Sequence, residues 1–274
     1  MFSLLVGSLT IIVVVGLLWQ GAMMYFLRLS DAAIDLRLKA DHLDAQFSEA
    51  RRLEKDFLLR DLVNPQFYQK GESESLAEHR ALMATLPDEV DTFVALTHGM
   101  ERERADKIAP LMKIYNEDFK KLVVAYREKG HDNWGLEGAW RAVINDIQTR
   151  LEDEKYFAQE VLLLKTRRSE KDYLLRKEDK YIEEFYANNQ KLAASIKSSD
   201  IANADALLAN LEKYEQFFGQ YLVIEERIGK TEDEGLRGEM RRAVNAVHPL
   251  LVEISDQAAA ESKQARQRLL MASL

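Results

Sequence analysis

Two patterns of apolar residues divide the chain. From Phe2 to Leu27 the sequence FSLLVGSLTIIVVVGLLWQGAMMYFL runs for 26 residues without a Lys, Arg, Asp or Glu. At about 1.5 Å per residue, a helix of that length exceeds the ~30 Å hydrocarbon core of a bilayer. Beyond it the pattern becomes periodic. Leu29, Ala33, Leu36, Ala40, Leu43, Phe47, Ala50 and Phe57 recur at steps of three, four or seven, as one buried stripe of an amphipathic helix does. The pattern predicts a first helix ending near Pro65 or Gly71. Further helices are predicted over about 72–86, 88–129 with an interruption at Pro110, 136–189, 200–228 and 236 to the end. Turn and capping residues occupy the breaks, with Ser199 or Asp200 as the expected N-cap of the fifth. The segment 136–189 has no Gly or Pro after Gly138, and as a single helix it would be on the order of 80 Å long.

The apolar leader is longer than the hydrophobic stretch of a signal peptide and ends in Trp19, Tyr25 and Phe26, aromatics suited to a membrane interface. Residues 1–27 therefore read as an uncleaved transmembrane anchor. All 38 Lys+Arg and 46 Asp+Glu follow it, for a net charge of −8. That balance argues against a nucleic-acid partner, and any anion must be held by a local basic cluster. There is no cysteine, which removes disulfides, thiolate metal sites and Cys nucleophiles and suits a bacterial periplasm. The five histidines lack metal-ligand spacing, no Ser-His-Asp or paired-acid arrangement is recognisable, and neither a cofactor nor an enzyme is expected.

Internal repetition is the most specific feature. Arg51-Arg-Leu-Glu-Lys-Asp-Phe-Leu-Leu-Arg60 returns as Arg167-Arg-Ser-Glu-Lys-Asp-Tyr-Leu-Leu-Arg176, with eight of ten residues identical at an offset of 116. Gly135-Leu-Glu-Gly-Ala-Trp-Arg141 returns as Gly235-Leu-Arg-Gly-Glu-Met-Arg241 at an offset of 100, and Tyr115 and Phe119 upstream match Tyr214 and Phe218. The body thus contains two related helical modules. Its expected architecture is all-α: the transmembrane helix, then two stacked four-helix bundles sharing two long helices, with both arginine pairs in one layer. The module far from the membrane would span about 55–160 and the near one 28–54 plus 161–274.

On these repeated motifs the chain resembles the helical bimodular sensor domain of bacterial transmembrane receptors, chiefly methyl-accepting chemotaxis receptors and some sensor histidine kinases. The resemblance covers about residues 28–274. It implies a homodimeric inner-membrane protein whose periplasmic body binds small carboxylates, tricarboxylic-acid-cycle intermediates near the membrane and acetate in the far module. It also implies ligand contacts from arginines of the long helices, here Arg51, Arg52, Arg167 and Arg168. A guanidinium fork suits a carboxylate, yet Arg52 with Asp56 and Arg168 with Asp172 also read as exposed helix pairs worth tenths of a kcal/mol. Tyr173, Tyr221 and Arg242 are expected close by. Signalling would follow from displacement of the last helix against the first. The other readings are the sensor of a histidine kinase, and a helical spacer that binds no small molecule.

Overall fold

The computed structural model describes residues 2–272, with side chains over 13–271. Among them the fold is all-helical, without a strand. Helix α1 (Phe2–Arg60) is continuous over 59 residues. Its apolar N-terminal portion is long and apolar enough to cross a membrane. Leu17 and Leu18 are 62% and 69% exposed there, so this segment is not a core helix of the body.

Pro65 does not simply end α1. It opens α2 (Pro65–Lys70), where the Asn64 side chain accepts the Gln66 N–H at 3.0 Å and Gly71 closes the turn at φ 75°. Helix α3 (Glu74–Leu96) runs through Pro87, although a break was expected there. The chain instead breaks after Thr97, whose hydroxyl donates to the Val94 carbonyl at 2.8 Å. After α4 (Gly99–Ala105) comes α5 (Ile108–Lys129). Pro110 sits in the first turn of α5, where a missing N–H costs no helical bond, so it interrupts nothing.

The predicted 136–189 helix is three helices: α6 (Gly135–Asp153), α7 (Phe157–Arg176) and the start of α8 (Lys180–Ser198). The reversals occur at Lys155 (φ 60°) and Lys177 (φ 56°). A lysine in the left-handed region costs about 1 kcal/mol or more, and a run of good helix formers carries no sign of it. Tertiary packing supplies the difference. Helix α9 (Ala204–Ile228) starts after Asn203, which holds the N-cap position in the left-handed conformation without a side-chain hydrogen bond, not after Ser199 or Asp200, and α10 (Gly235–Ala272) follows.

The chain forms two compact units, drawn otherwise than the expected modules. The first comprises residues 1–53, 78–116 and 242–274; the second, 54–77 and 117–241. In the first, α1 buries Leu36, Ala40, Leu43, Phe47 and Ala50, and α10 buries Val244, Val247, Leu251, Ile254 and Ala258. Both runs alternate steps of three and four, the spacing of a coiled-coil seam. Ser30 pairs with Ser262 (3.2 Å), Asp41 with Ser255 (2.7 Å) and Asp44 with His248 (2.6 Å), so α10 runs antiparallel to α1. Tyr115 donates to the Ala50 carbonyl at 3.1 Å and lies 3.1 Å from His79 Nε2.

In the second unit α6, α7, α8 and α9 close a four-helix bundle, each joined to the next by a short turn. Its core is aromatic: Trp140, Tyr173, Phe185, Tyr214, Phe218 and Tyr221 are all buried. The second sequence repeat is visible here as two loops of like construction. Gly130 (φ 85°) and Gly229 (φ 107°) donate to the carbonyls of Tyr126 and Glu225 at 3.0 and 2.8 Å. Gly138 and Gly238 donate to Trp134 and Glu234 at 3.1 and 2.8 Å. A Cβ on Gly130 or Gly229 would lie 1.9 or 2.0 Å from a backbone oxygen, so only glycine fits. Arg141–Asp132 (2.9 Å) and Arg241–Glu232 (3.0 Å) brace the two loops alike, and Arg227 bridges to Glu128 between them.

Candidate functional site

The residues singled out from the sequence are divided between the two units. Arg51, Arg52 and Arg242 belong to the first unit; Arg167, Arg168, Tyr173 and Tyr221 belong to the second. Arg52 is exposed and its fork already grips Glu49 through two bonds of 2.8 and 2.6 Å, with Glu78 at 3.9 Å. The side chain of Arg168 is 85% exposed, 3.7 Å from Asp172. Both are surface pairs, Arg168 with the expected Asp172 and Arg52 with Glu49, while Asp56 lies 3.4 Å from Arg60. Arg51 is half-buried and Arg242 exposed. Arg167 is half-buried and donates to Gln148 of α6, close to the buried Tyr214–Glu170 hydrogen bond of 2.6 Å. It ties α7 to α6.

Tyr173 and Tyr221 do come together, around lysines rather than arginines. Glu225 of α9 is 4% exposed and binds Lys129 of α5 through Oε1 and Lys177 of the α7–α8 turn through Oε2, the latter at 2.5 Å. Lys177 also donates to the Tyr221 hydroxyl at 3.1 Å. Its ammonium lies 5.5 and 5.2 Å from the ring centres of Tyr173 and Tyr221; that of Lys129 lies 5.1 Å from Tyr221 and 5.8 Å from Tyr126. Trp140 packs on Tyr221 with centroids 5.4 Å apart. The left-handed turn at Lys177, closed by its N–H on the Tyr173 carbonyl at 2.8 Å, returns its side chain to the rings of α9.

Two buried donors in this cluster have no partner, the Tyr173 hydroxyl and Trp140 Nε1. Orphaned buried donors are costly and uncommon. Burial opposes ionisation of Glu225, but the charges and hydrogen bonds of Lys129 and Lys177 outweigh it and hold the carboxyl below its ordinary range. Burial pushes Lys177 down against the pull of Glu225, and pushes Glu137 of α6 up against Lys129, His131, Lys171 and Arg141. The two directions for the Glu225–Lys177 pair conflict. We favour the ion pair, because both Glu225 oxygens are bonded to ammoniums.

The tyrosines titrate high. Burial raises Tyr68 to about 12 and also raises Tyr126, Tyr173, Tyr186, Tyr214 and Tyr221. A raised folded-state value means stability that is complete below the unfolded phenol's ~10 and lost as pH climbs through the folded value. In a 295 nm titration these six should ionise above a free phenol's ~10, and together, at alkaline unfolding. Gradual ionisation of all ten tyrosines around pH 10, with helicity intact, would contradict the burial described.

Two open grooves compete as sites. One in the second unit, about 420 Å³, is lined by Asp205, Glu212 and Glu215 against Lys197, the wrong balance for an anion. The other, about 270 Å³ in the first unit, holds Lys39 and His42 with Asp88 and Glu89, and His42 is 3.2 Å from Glu89. Neither has an excess of cations. Among the described residues no His/Asp/Glu group could hold a metal.

The sequence reading missed Lys129 and Lys177, while it set Glu225 beside Tyr221 and gave Trp140 to core packing or a lid. A signal existed in the spacing of Tyr126 with Lys129, Tyr173 with Lys177 and Tyr221 with Glu225: three tyrosines, each one turn before a charge near a helix end. No family model matches the chain, and no curated protein or solved structure shows a significant match.

Proposed function

We propose that this chain is the sensing region of a bacterial transmembrane receptor of the chemotaxis type, anchored by its N-terminal helix with its body in the periplasm, and that it binds a small organic acid. In this reading the chain pairs with a second copy, and the two units correspond to the two related modules of such receptors. The observation that carries it is a buried polar cluster in the second unit: two ammoniums meet on one internal carboxylate, and among the neighbouring rings the Tyr173 hydroxyl and Trp140 Nε1 have no partner. A ligand oxygen would satisfy the Tyr173 hydroxyl and Trp140 Nε1, which nothing in the fold now does. Output would follow if acid binding favours one arrangement of α10 against α1, and only a difference in affinity between arrangements can drive it. The antiparallel contacts at Ser30, Asp41 and Asp44 are what such a shift would change.

One observation favours the spacer reading instead: each Glu225 oxygen already pairs with a lysine, so the cluster is a closed ion triad as it stands. Thermal unfolding of the full chain in detergent, against C2 to C6 mono-, di- and tricarboxylic acids, separates the two. Binding selective for the folded state raises the midpoint in proportion to ln(1 + [L]/Kd). At least one acid is expected to do so, and Lys177→Gln to remove the shift. A whole panel without a shift leaves an anchored helical spacer.

A further inference from the structure

We propose that the groove between α8 and α9 in the second unit binds a linear aliphatic diamine. It shares no lining residue with the Glu225 cluster, so it stands whichever reading of that cluster holds. Asp205, Leu208, Glu212 and Glu215 recur along α9 at steps of three, four and three, and Asn189, Ala193 and Lys197 recur along α8 at steps of four, so each set occupies one helix face. The two faces run antiparallel. Asn189 Nδ2 donates to Glu215 Oε2 at 2.7 Å at one end, while Lys197 and Asp205 flank the turn between the helices at the other. The open space is about 420 Å³, within the range of small-molecule sites.

Its charges are unequal. Among the described residues none of the three carboxylates forms an ion pair: Glu212 accepts from Gln216 at 3.3 Å, and Glu215 accepts from the Asn189 amide. Lys197 offsets Asp205 at the turn, which leaves Glu212 and Glu215 without a cation in the groove. Asn189 is 3% exposed, and with Nδ2 committed to Glu215 its Oδ1 has no partner. A buried acceptor left without a donor is costly. An ammonium offers three N–H donors and no acceptor, the complement of two carboxylates and an amide oxygen. Cβ atoms three residues apart on a helix lie about 5–6 Å from each other, a span that a four-carbon diamine bridges with one ammonium at each carboxylate. Ala193 and Leu211, the apolar lining at this end, suit its methylenes. A bare divalent cation needs roughly six oxygens closed around it, which the side of an open groove does not supply.

Calorimetric titration of the full chain in detergent at pH 7.5 and fixed ionic strength, with 1,4-diaminobutane, 1-aminobutane and Mg²⁺, tests this. Wild type is expected to bind the diamine roughly ten-fold or more tightly than the monoamine or Mg²⁺. Glu212→Gln/Glu215→Gln keeps the shape of both side chains and is expected to weaken the diamine by a similar factor. Glu183→Gln/Glu184→Gln removes the same charge from exposed positions of α8 outside the groove and should leave binding unchanged. Ala209→Arg, at an exposed position of the lining, adds a cation with both acids in place. It should weaken the diamine as much, and it carries the test if the Glu212/Glu215 variant does not fold. Equal losses in the two glutamate variants would mean general attraction to an acidic surface and overturn the site. Mg²⁺ bound more tightly than the diamine overturns the ligand class, and absence of heat with the diamine in wild type overturns the proposal.

Discussion

Phe218→Ala is expected to cost about 3–5 kcal/mol, the range for truncating a large buried ring. Phe218 is fully buried on α9 and its ring meets four others: Phe185 at 4.0 Å between centroids, Trp140 and Tyr173 at 5.7 Å, and Tyr186 at 6.1 Å. Three helices of the bundle supply these rings. None can collapse into the void without abandoning its other neighbours, so the lost contacts add to the lost transfer energy. Val223, one turn away and 66% exposed, is the control. Val223→Ala should change stability by less than about 0.5 kcal/mol. Urea unfolding of the full chain in detergent, followed at 222 nm, measures both, and equal midpoints for the two variants would mean that α9 does not present Phe218 to this core.

Replacing both lysines, Lys129→Met/Lys177→Met, is expected to be comparably severe at neutral pH and mild in acid. The double substitution leaves Glu225 buried without a cation, and removing the partners of a buried charge costs about 3–5 kcal/mol. The sign of the pH dependence follows from the pair. In wild type the lysines depress the Glu225 carboxyl, so the stability they confer is present above its unfolded value and is lost as pH falls through the folded one. In the variant, burial raises that carboxyl instead, and protonation below about pH 4 removes most of the penalty. Unfolding at pH 7.5 and at pH 4 should show a large deficit that shrinks in acid. A deficit of equal size at both values would mean that lost packing of the lysine stems, not an uncompensated charge, is responsible.

The resemblance to bimodular sensors rested on the repeated arginine motif, and the structure separates the parts of that argument. The Gly135 and Gly235 copies build two loops with the same hydrogen bonds and the same glycine requirement. The arginine copies keep like exposure: Arg52 and Arg168 face solvent beside acids of their own helices, and Arg51 and Arg167 are both half-buried, Arg167 bracing α6. Identity of sequence marked like exposure at these positions, and it did not mark a ligand site. A ligand site follows from what converges on a point. Lys129, Lys177 and Glu225 are 48 or more residues apart along the chain, so no local motif holds them together.

What was legible without coordinates was whatever local periodicity and composition dictate. The apolar leader, the helical body, the seam of α1 from Leu36 to Ala50 and the glycine loops at 130–135 and 229–235 are all properties of neighbouring residues. The reversals at Lys155 and Lys177 were not. Both residues are good helix formers held in the left-handed region because the bundle of α6 to α9 gains more from closing than one strained residue costs. With those reversals came the meeting of Tyr173 and Lys177 with Tyr221 and Glu225. Helix formation is decided over one turn, and the sequence determines it locally; which charges share a dry interior depends on burial between distant segments, and that only tertiary packing decides.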